Sequence, residues 1–197
     1  MNNKEVIVVA GPSASGKSHL LKQLLTKKKN KFRDKIYRLL KINPKQSRSC
    51  IAIGALTKQK IKPEHSRKLK KDLIFIHFDT TSRRQNKKKR LLLSITKDCE
   101  SVKVLTIHTT FETWRTRMQK RIESSPNEIP LNMATEIYNL SKYIRFFAKI
   151  RYNLVYKRWA KFVNDIDFDD QLIIKNEEIP FKSKPQKFQP NNSKLKR

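Results

Sequence analysis

The sequence predicts an α/β protein: a three-layer α/β/α sandwich around a mainly parallel five-stranded sheet, with long helices toward the C-terminus. Three observations carry that expectation. Short, largely β-branched apolar runs recur at 5–10, 73–78 and 102–107, nearly continuous as in strands covered on both faces. Helical periodicities separate them, and strands alternating with helices describe a parallel sheet joined by crossovers. At 197 residues the chain suits one full-sized core, so residues 1–180 read as one domain and 181–197 as a flexible basic tail.

Taken in order, EVIVVA at 5–10 is the expected central strand. From His19 to Leu25, leucines at 20, 21, 24 and 25 have the helical spacing that packs one face onto a sheet, before a lysine run at 27–29. Lys31 to Lys41 is a weaker helical pattern, ended by Asn43 and Pro44. Cys50 to Leu56 is apolar but too short for periodicity to separate strand from helix. LIFIHF at 73–78 is a buried strand. Arg83 to Leu93 is basic enough for an exposed helix or loop, and VKVLTI at 102–107 is the next strand.

Thr110 supplies an N-cap hydroxyl and Glu112 a first-turn acid, so a helix opens there and stops near Ser124 to Pro126. Residues 127–130 are expected to form a loop. Asn132 to Val163 is the longest helical pattern, with Ile137, Leu140, Ile144, Phe147, Leu154, Trp159 and Phe162 as its apolar positions and a break expected near Tyr152. An acidic turn, Asp165 to Asp170, leads into a last strand, Gln171 to Ile174.

Composition narrows the function classes. No apolar run approaches the roughly 20 residues of a membrane span, and the N-terminal apolar stretch is too short for a signal peptide, which points to the cytoplasm. Cys50 and Cys99 are the only cysteines, and no Cys or His spacing suits a disulfide framework or zinc. Forty-six Lys and Arg face 17 Asp and Glu, a net charge of +29. Such a surface attracts polyanions, whether nucleic acid, an anionic membrane or a phosphorylated substrate.

One motif is specific. Gly11-Pro12-Ser13-Ala14-Ser15-Gly16-Lys17-Ser18 fits G-x-x-x-x-G-K-[ST], directly after a strand and before a helix. A loop wrapped round a phosphate points successive backbone N–H groups inward, which needs glycine at the closest approaches. The chain has three glycines, and Gly11 and Gly16 are two of them. Lys17 would reach the β and γ phosphates and Ser18 would ligate magnesium. The helix N-terminus at Lys17 to His19 adds partial positive charge.

These residues resemble the P-loop NTPase superfamily, and VVAGPSASGKS is similar to the loops of guanylate kinases and related nucleotide kinases. The resemblance implies ATP or GTP with Mg2+. It covers the fold and this loop: of the segment that holds GMP in guanylate kinases, only Thr80-Thr81-Ser82-Arg83 is echoed here.

Asp79 closes a buried strand at its carboxyl end, where ligands bind in open α/β sheets. In the superfamily such a carboxylate holds the magnesium shell or takes a proton from an attacking hydroxyl; the alternative is a cap on the turn through Thr81 or Ser82. His77 reads as a packed core histidine. Arg83 and Arg84 could clamp a phosphate or belong to a solvated surface. Arg115, Arg117 and Arg121 occupy the region where nucleotide and shikimate-type kinases place arginines on the transferring phosphates or the adenine. Arg117 and Arg121 share a helix face, with Glu112 as a candidate ion-pair partner.

The candidate catalytic residues are thus Lys17, Asp79 and Arg117. Nucleotide binding falls to residues 11–19 and Arg121, and magnesium to Ser18 and Asp79. The aromatics and cations interleaved between Tyr143 and Phe162 read as an amphipathic helix burying its aromatic stripe, the alternative being stacking on single-stranded nucleic acid. The leading expectation is a kinase-like phosphotransferase with an unidentified acceptor. A nucleotide-dependent switch on nucleic acid or another polyanion, and a nucleotide binder with little turnover, are the alternatives.

Overall fold

The structure, a computed structural model, describes residues 4–26, 28, 30–56, 63–82, 84–124, 132–166 and 168–179. Arg83, Lys27 and Lys29, the expected loop at 127–130 and the expected tail at 181–197 lie outside the described residues.

The chain runs β1 (Glu5–Gly11), α1 (Lys17–Leu25), α2 (Lys31–Leu39), β2 (Arg48–Ala52), α3 (Ile53–Leu56), α4 (Pro63–Lys68), β3 (Leu73–Asp79), α5 (Gln85–Thr96), β4 (Ser101–His108), α6 (Phe111–Ser124), α7 (Met133–Tyr143), α8 (Arg145–Asn164) and β5 (Asp170–Lys175). The five strands form one sheet in the order β2-β3-β1-β4-β5, with every neighbouring pair parallel. β1 is central, as its unbroken apolar run predicts.

Strand side chains alternate between faces, and β1 therefore divides the core. Ile7 and Val9 join Leu20 and Leu24 of α1, Ile36 and Tyr37 of α2, and Phe75 of β3. Val6, Val8 and Ala10 join Leu92 of α5 and Trp159 and Val163 of α8. Helices cover both faces, which makes the three expected layers. A third cluster links Phe111, Trp114 and Met118 of α6 with Ile137 of α7 and Ala148 and Tyr152 of α8.

Polar atoms of aromatic side chains fasten α8 to the carboxyl end of β4. Tyr152 Oη donates to the Thr109 carbonyl at 2.8 Å, Tyr156 Oη to the Ile107 carbonyl at 3.1 Å, and Trp159 Nε1 to Thr106 Oγ1 at 2.9 Å.

Several expectations change. The ambiguous run at 50–56 is both: strand through Ala52, then a helical turn. The basic stretch after Arg83 is helix α5, with Leu92 and Thr96 buried. The long C-terminal pattern breaks at Ile144 (φ −133°, ψ 77°), not near Tyr152, which is 1% exposed inside α8. From that bend, Ala148, Tyr152, Val155, Trp159 and Val163 follow at helical spacing and all point inward. Ile144, Phe147 and Leu154, expected inside, are exposed instead.

Candidate nucleotide-binding site

β1 delivers the chain to a tight turn whose backbone demands are visible. A Cβ on Gly11 would lie 2.6 Å from Ser15 Oγ and 3.2 Å from the Ile107 carbonyl, so only glycine fits without displacement. Gly16 has φ 99° and Ala14 φ 64°, the left-handed region in which an alanine carries strain. The Ser15 N–H donates to the Pro12 carbonyl at 3.1 Å and closes the turn.

Distant elements hold this loop. The Ser13 N–H donates to Thr81 Oγ1 at 3.0 Å, Trp114 Nε1 to the Ser13 carbonyl at 2.9 Å, and Arg121 Nη1 to Ser13 Oγ at 3.1 Å. Asn176 Nδ2, in the 3-10 turn after β5, donates to the Ser15 carbonyl. Trp114 and Asn176 were invisible as site residues in the sequence, whereas Thr81 was legible as a cap on the Asp79 turn but not as the partner of Ser13. Trp114 sits in an ordinary apolar helical position, and nothing local announces the partner of its N–H.

Leu73 and Phe75 of β3 pack with α1, and the two-residue period carries His77 and Asp79 onto that same face, with Gly11 paired to Asp79 in the register. The sheet face opens there into a pocket of about 630 Å³, lined by Ser13, Ala14, Gly16, Lys17, Ser18, His19, Asp79, Arg117 and Arg121 of the expected set. Gly11, Pro12 and Ser15 are buried behind that lining. His77, Lys120 and Asn132 join the lining, so His77 is a partly exposed pocket residue and not a core one.

Lys17 is 4% exposed, and its Nζ donates to the carbonyls of Gly11 at 2.9 Å and Pro12 at 2.6 Å. Burial lowers its pKa from 10.5 to about 8; the Asp79 charge opposes that shift and the Arg121 charge adds to it. His77 is pushed down to about 4, by burial first and the Lys17 charge second, and is neutral at neutral pH. An ammonium so desolvated has much to gain from an entering phosphate.

Asp79 Oδ1 accepts from the Thr81 N–H at 2.9 Å and from Thr81 Oγ1 at 2.7 Å. The turn-capping role is therefore real, and it orients a carboxylate that also lines the pocket. Arg117 and Arg121 reach the pocket together, as their shared face implies. Arg115 turns to Ser141 Oγ at 3.2 Å, and Glu112 pairs with Arg145 instead of the α6 arginines, because α8 passes beside the start of α6. Ser18 and Asp79, the residues expected at magnesium, both line the pocket. Among the described residues no cluster of three His, Cys, Asp or Glu could cage a metal.

A second pocket, of about 720 Å³, lies between α5 and α8. Arg84, Lys89, Arg158 and Lys161 line it with Trp159, Phe162 and Asp165. Arg84 stands at φ 61°, ψ 39° before α5, and Lys89 Nζ sits 4.3 Å from the Phe162 ring centroid. Thr80 and Met133 line this pocket, while Asp79 and Asn132 line the first, so consecutive residues form a shared wall.

Among the described residues, no helix is long and apolar enough to cross a membrane. No curated protein matches the chain. A family model described as AAA domain matches residues 6–136, which takes in the glycine turn, Asp79 and both pocket arginines. With that match over more than half its length, a parallel sheet in this strand order and the loop built as described, the chain belongs to this AAA domain family, within the P-loop NTPase superfamily.

Proposed function

We propose that the protein is a kinase-like phosphotransferase using Mg-ATP, with its acceptor seated in the pocket between α5 and α8. The observation that carries this is the shared wall: Asp79 faces the phosphate pocket and Thr80 the neighbouring one. Donor and acceptor can then meet at the end of β3 with no large rearrangement, and proximity is a major part of phosphoryl-transfer catalysis. Lys17, the α1 N-terminus, Arg117 and Arg121 neutralise charge on the transferring group. Asp79, oriented by Thr81, stands where a magnesium shell or an acceptor hydroxyl needs a carboxylate. Magnesium, when bound, supplies Lewis-acid charge at the phosphates.

Arg84, Lys89, Arg158 and Lys161 against Asp165 favour an acceptor that is itself anionic. The test is incubation with ATP labelled in the γ-phosphate and a panel of nucleotides, phosphorylated sugars and 5′-hydroxyl oligonucleotides. Label on one acceptor class, lost in Asp79→Asn, supports the proposal. Label released only as inorganic phosphate, whatever is added, sinks it. That second outcome favours the nucleotide-dependent switch, for which the net charge of +29 is the supporting observation.

A further inference from the structure

The elbow between α7 and α8 exposes apolar surface that the nucleotide site does not use. Of the nine large apolar side chains exposed among the described residues, six fall between Tyr143 and Leu154. Tyr143 is 85% exposed, Phe146 69% and Phe147 57%, and the two phenyl rings meet edge to face 5.8 Å apart. Phe147, Ile150 and Leu154 repeat at i, i+3 and i+7, while Ala148, Tyr152 and Val155 point into the core. α8 thus has two apolar faces, and one of them has no core to enter.

Charge surrounds this face. No Asp or Glu occurs between Glu136 and Asp165, whereas Lys142, Lys149, Arg151 and Lys157 are exposed there. Arg145 is held by Glu112 at the bend. The side chains protrude and line neither pocket, unlike the grooves in which bases stack on single-strand binders. Ile144, Ile150 and Leu154 offer no ring face to a base. A second copy would bring two +29 chains together.

We propose that this elbow docks on an anionic lipid bilayer. Phe146, Phe147 and Ile150 enter the boundary between headgroups and acyl chains, and the flanking cations meet the lipid phosphates. Leu154 lies one helical turn from Arg158, so the docked face runs to the rim of the pocket between α5 and α8. The inference stands whether or not the protein transfers phosphate.

The test is co-sedimentation of the full chain with vesicles of phosphatidylcholine alone and of phosphatidylcholine with phosphatidylglycerol. Binding is expected only to the second, falling by about tenfold for each ring removed in the Phe146→Ser, Phe147→Ser pair. Leu39→Ser, another exposed apolar site, should bind as the unaltered protein does. Should the double variant fail to fold, Phe146→Trp decides: its added emission should shift to the blue on anionic vesicles and be quenched by brominated lipid. No vesicle binding, binding indifferent to both rings, or no emission change would each overturn the proposal. Ring-dependent binding of single-stranded RNA without vesicle binding would overturn it in favour of nucleic acid.

Discussion

The two pockets that flank Asp79 and Thr80 are similar in size, about 630 and 720 Å³, and opposite in construction. One wall of the first is made by backbone, a contiguous turn from Gly11 to Ser18 whose shape is set by one forbidden Cβ and two left-handed residues, with distant side chains such as Asp79, Arg117 and Arg121 completing it. The other is made largely by side chains of α5 and α8, whose lining residues lie more than sixty positions apart in the chain. A site built from local backbone leaves a signature in sequence, because few residue types tolerate its angles. A site built from distant side chains leaves none, because cations and aromatics on helices look alike wherever they point.

The largest effect should come from breaking the backbone side alone. In Gly11→Ala the new Cβ meets Ser15 Oγ at 2.6 Å and the Ile107 carbonyl at 3.2 Å, and such overpacking costs about 1–3 kcal/mol. Thermal melting should show that loss, and titration calorimetry should show Mg-ATP binding weakened by roughly 100-fold, since every donor in the turn moves with it. If ATP binds Gly11→Ala as it binds the unaltered protein, the backbone does not make the phosphate site.

Breaking the other side should separate the two functions. Arg158→Gln, exposed on α8 and lining the second pocket, should leave ATP affinity unchanged. It should raise the acceptor KM by about tenfold, the loss of one charge-assisted contact. Equal loss of both affinities would mean that the two pockets are one.

The fold and the phosphate site were legible to different depths. Short apolar runs, unbroken in β1 and nearly so in β3 and β4, announced those strands, and the carboxyl end of β3 announced Asp79. Arg117 and Arg121 were legible as a pair through helical spacing. The bend at Ile144 was not, because apolar residues on two faces of α8 give periodicity two solutions, and the one that includes Phe147 and Leu154 faces solvent. The contacts that support the loop were hidden for another reason. Thr81, Trp114 and Asn176 act through single atoms on Ser13 and Ser15 from 68 to 161 residues away. The family match, ending at residue 136, likewise stops short of α8.

Smaller effects sharpen the electrostatic side. Lys17 titrates near 8 in the fold against 10.5 ordinarily, so between those values the folded state binds fewer protons than the unfolded one. Its contribution to stability therefore rises with pH across that window, while nucleotide affinity falls above about pH 8 as the ammonium is lost. His77, near 4 against 6.5, gives a contribution that is lost as pH falls from 6.5 toward 4. Melting curves of His77→Gln should lack that acid slope; an unchanged slope would place the titration elsewhere.

The smallest effect expected is a gain. Ala14→Gly relieves a left-handed alanine at φ 64° and should stabilise the protein by up to about 1 kcal/mol in chemical denaturation. A loss there would mean that the Ala14 methyl contributes more by packing beside the Phe111 and Trp114 cluster than its backbone strain costs.

The most direct test of the central claim is calorimetric titration of Mg-ATP into the protein and into Lys17→Ala. The account predicts saturable binding at one site, weakened by about 100-fold or more in the variant. Binding that is absent in both, or equal in both, would contradict it.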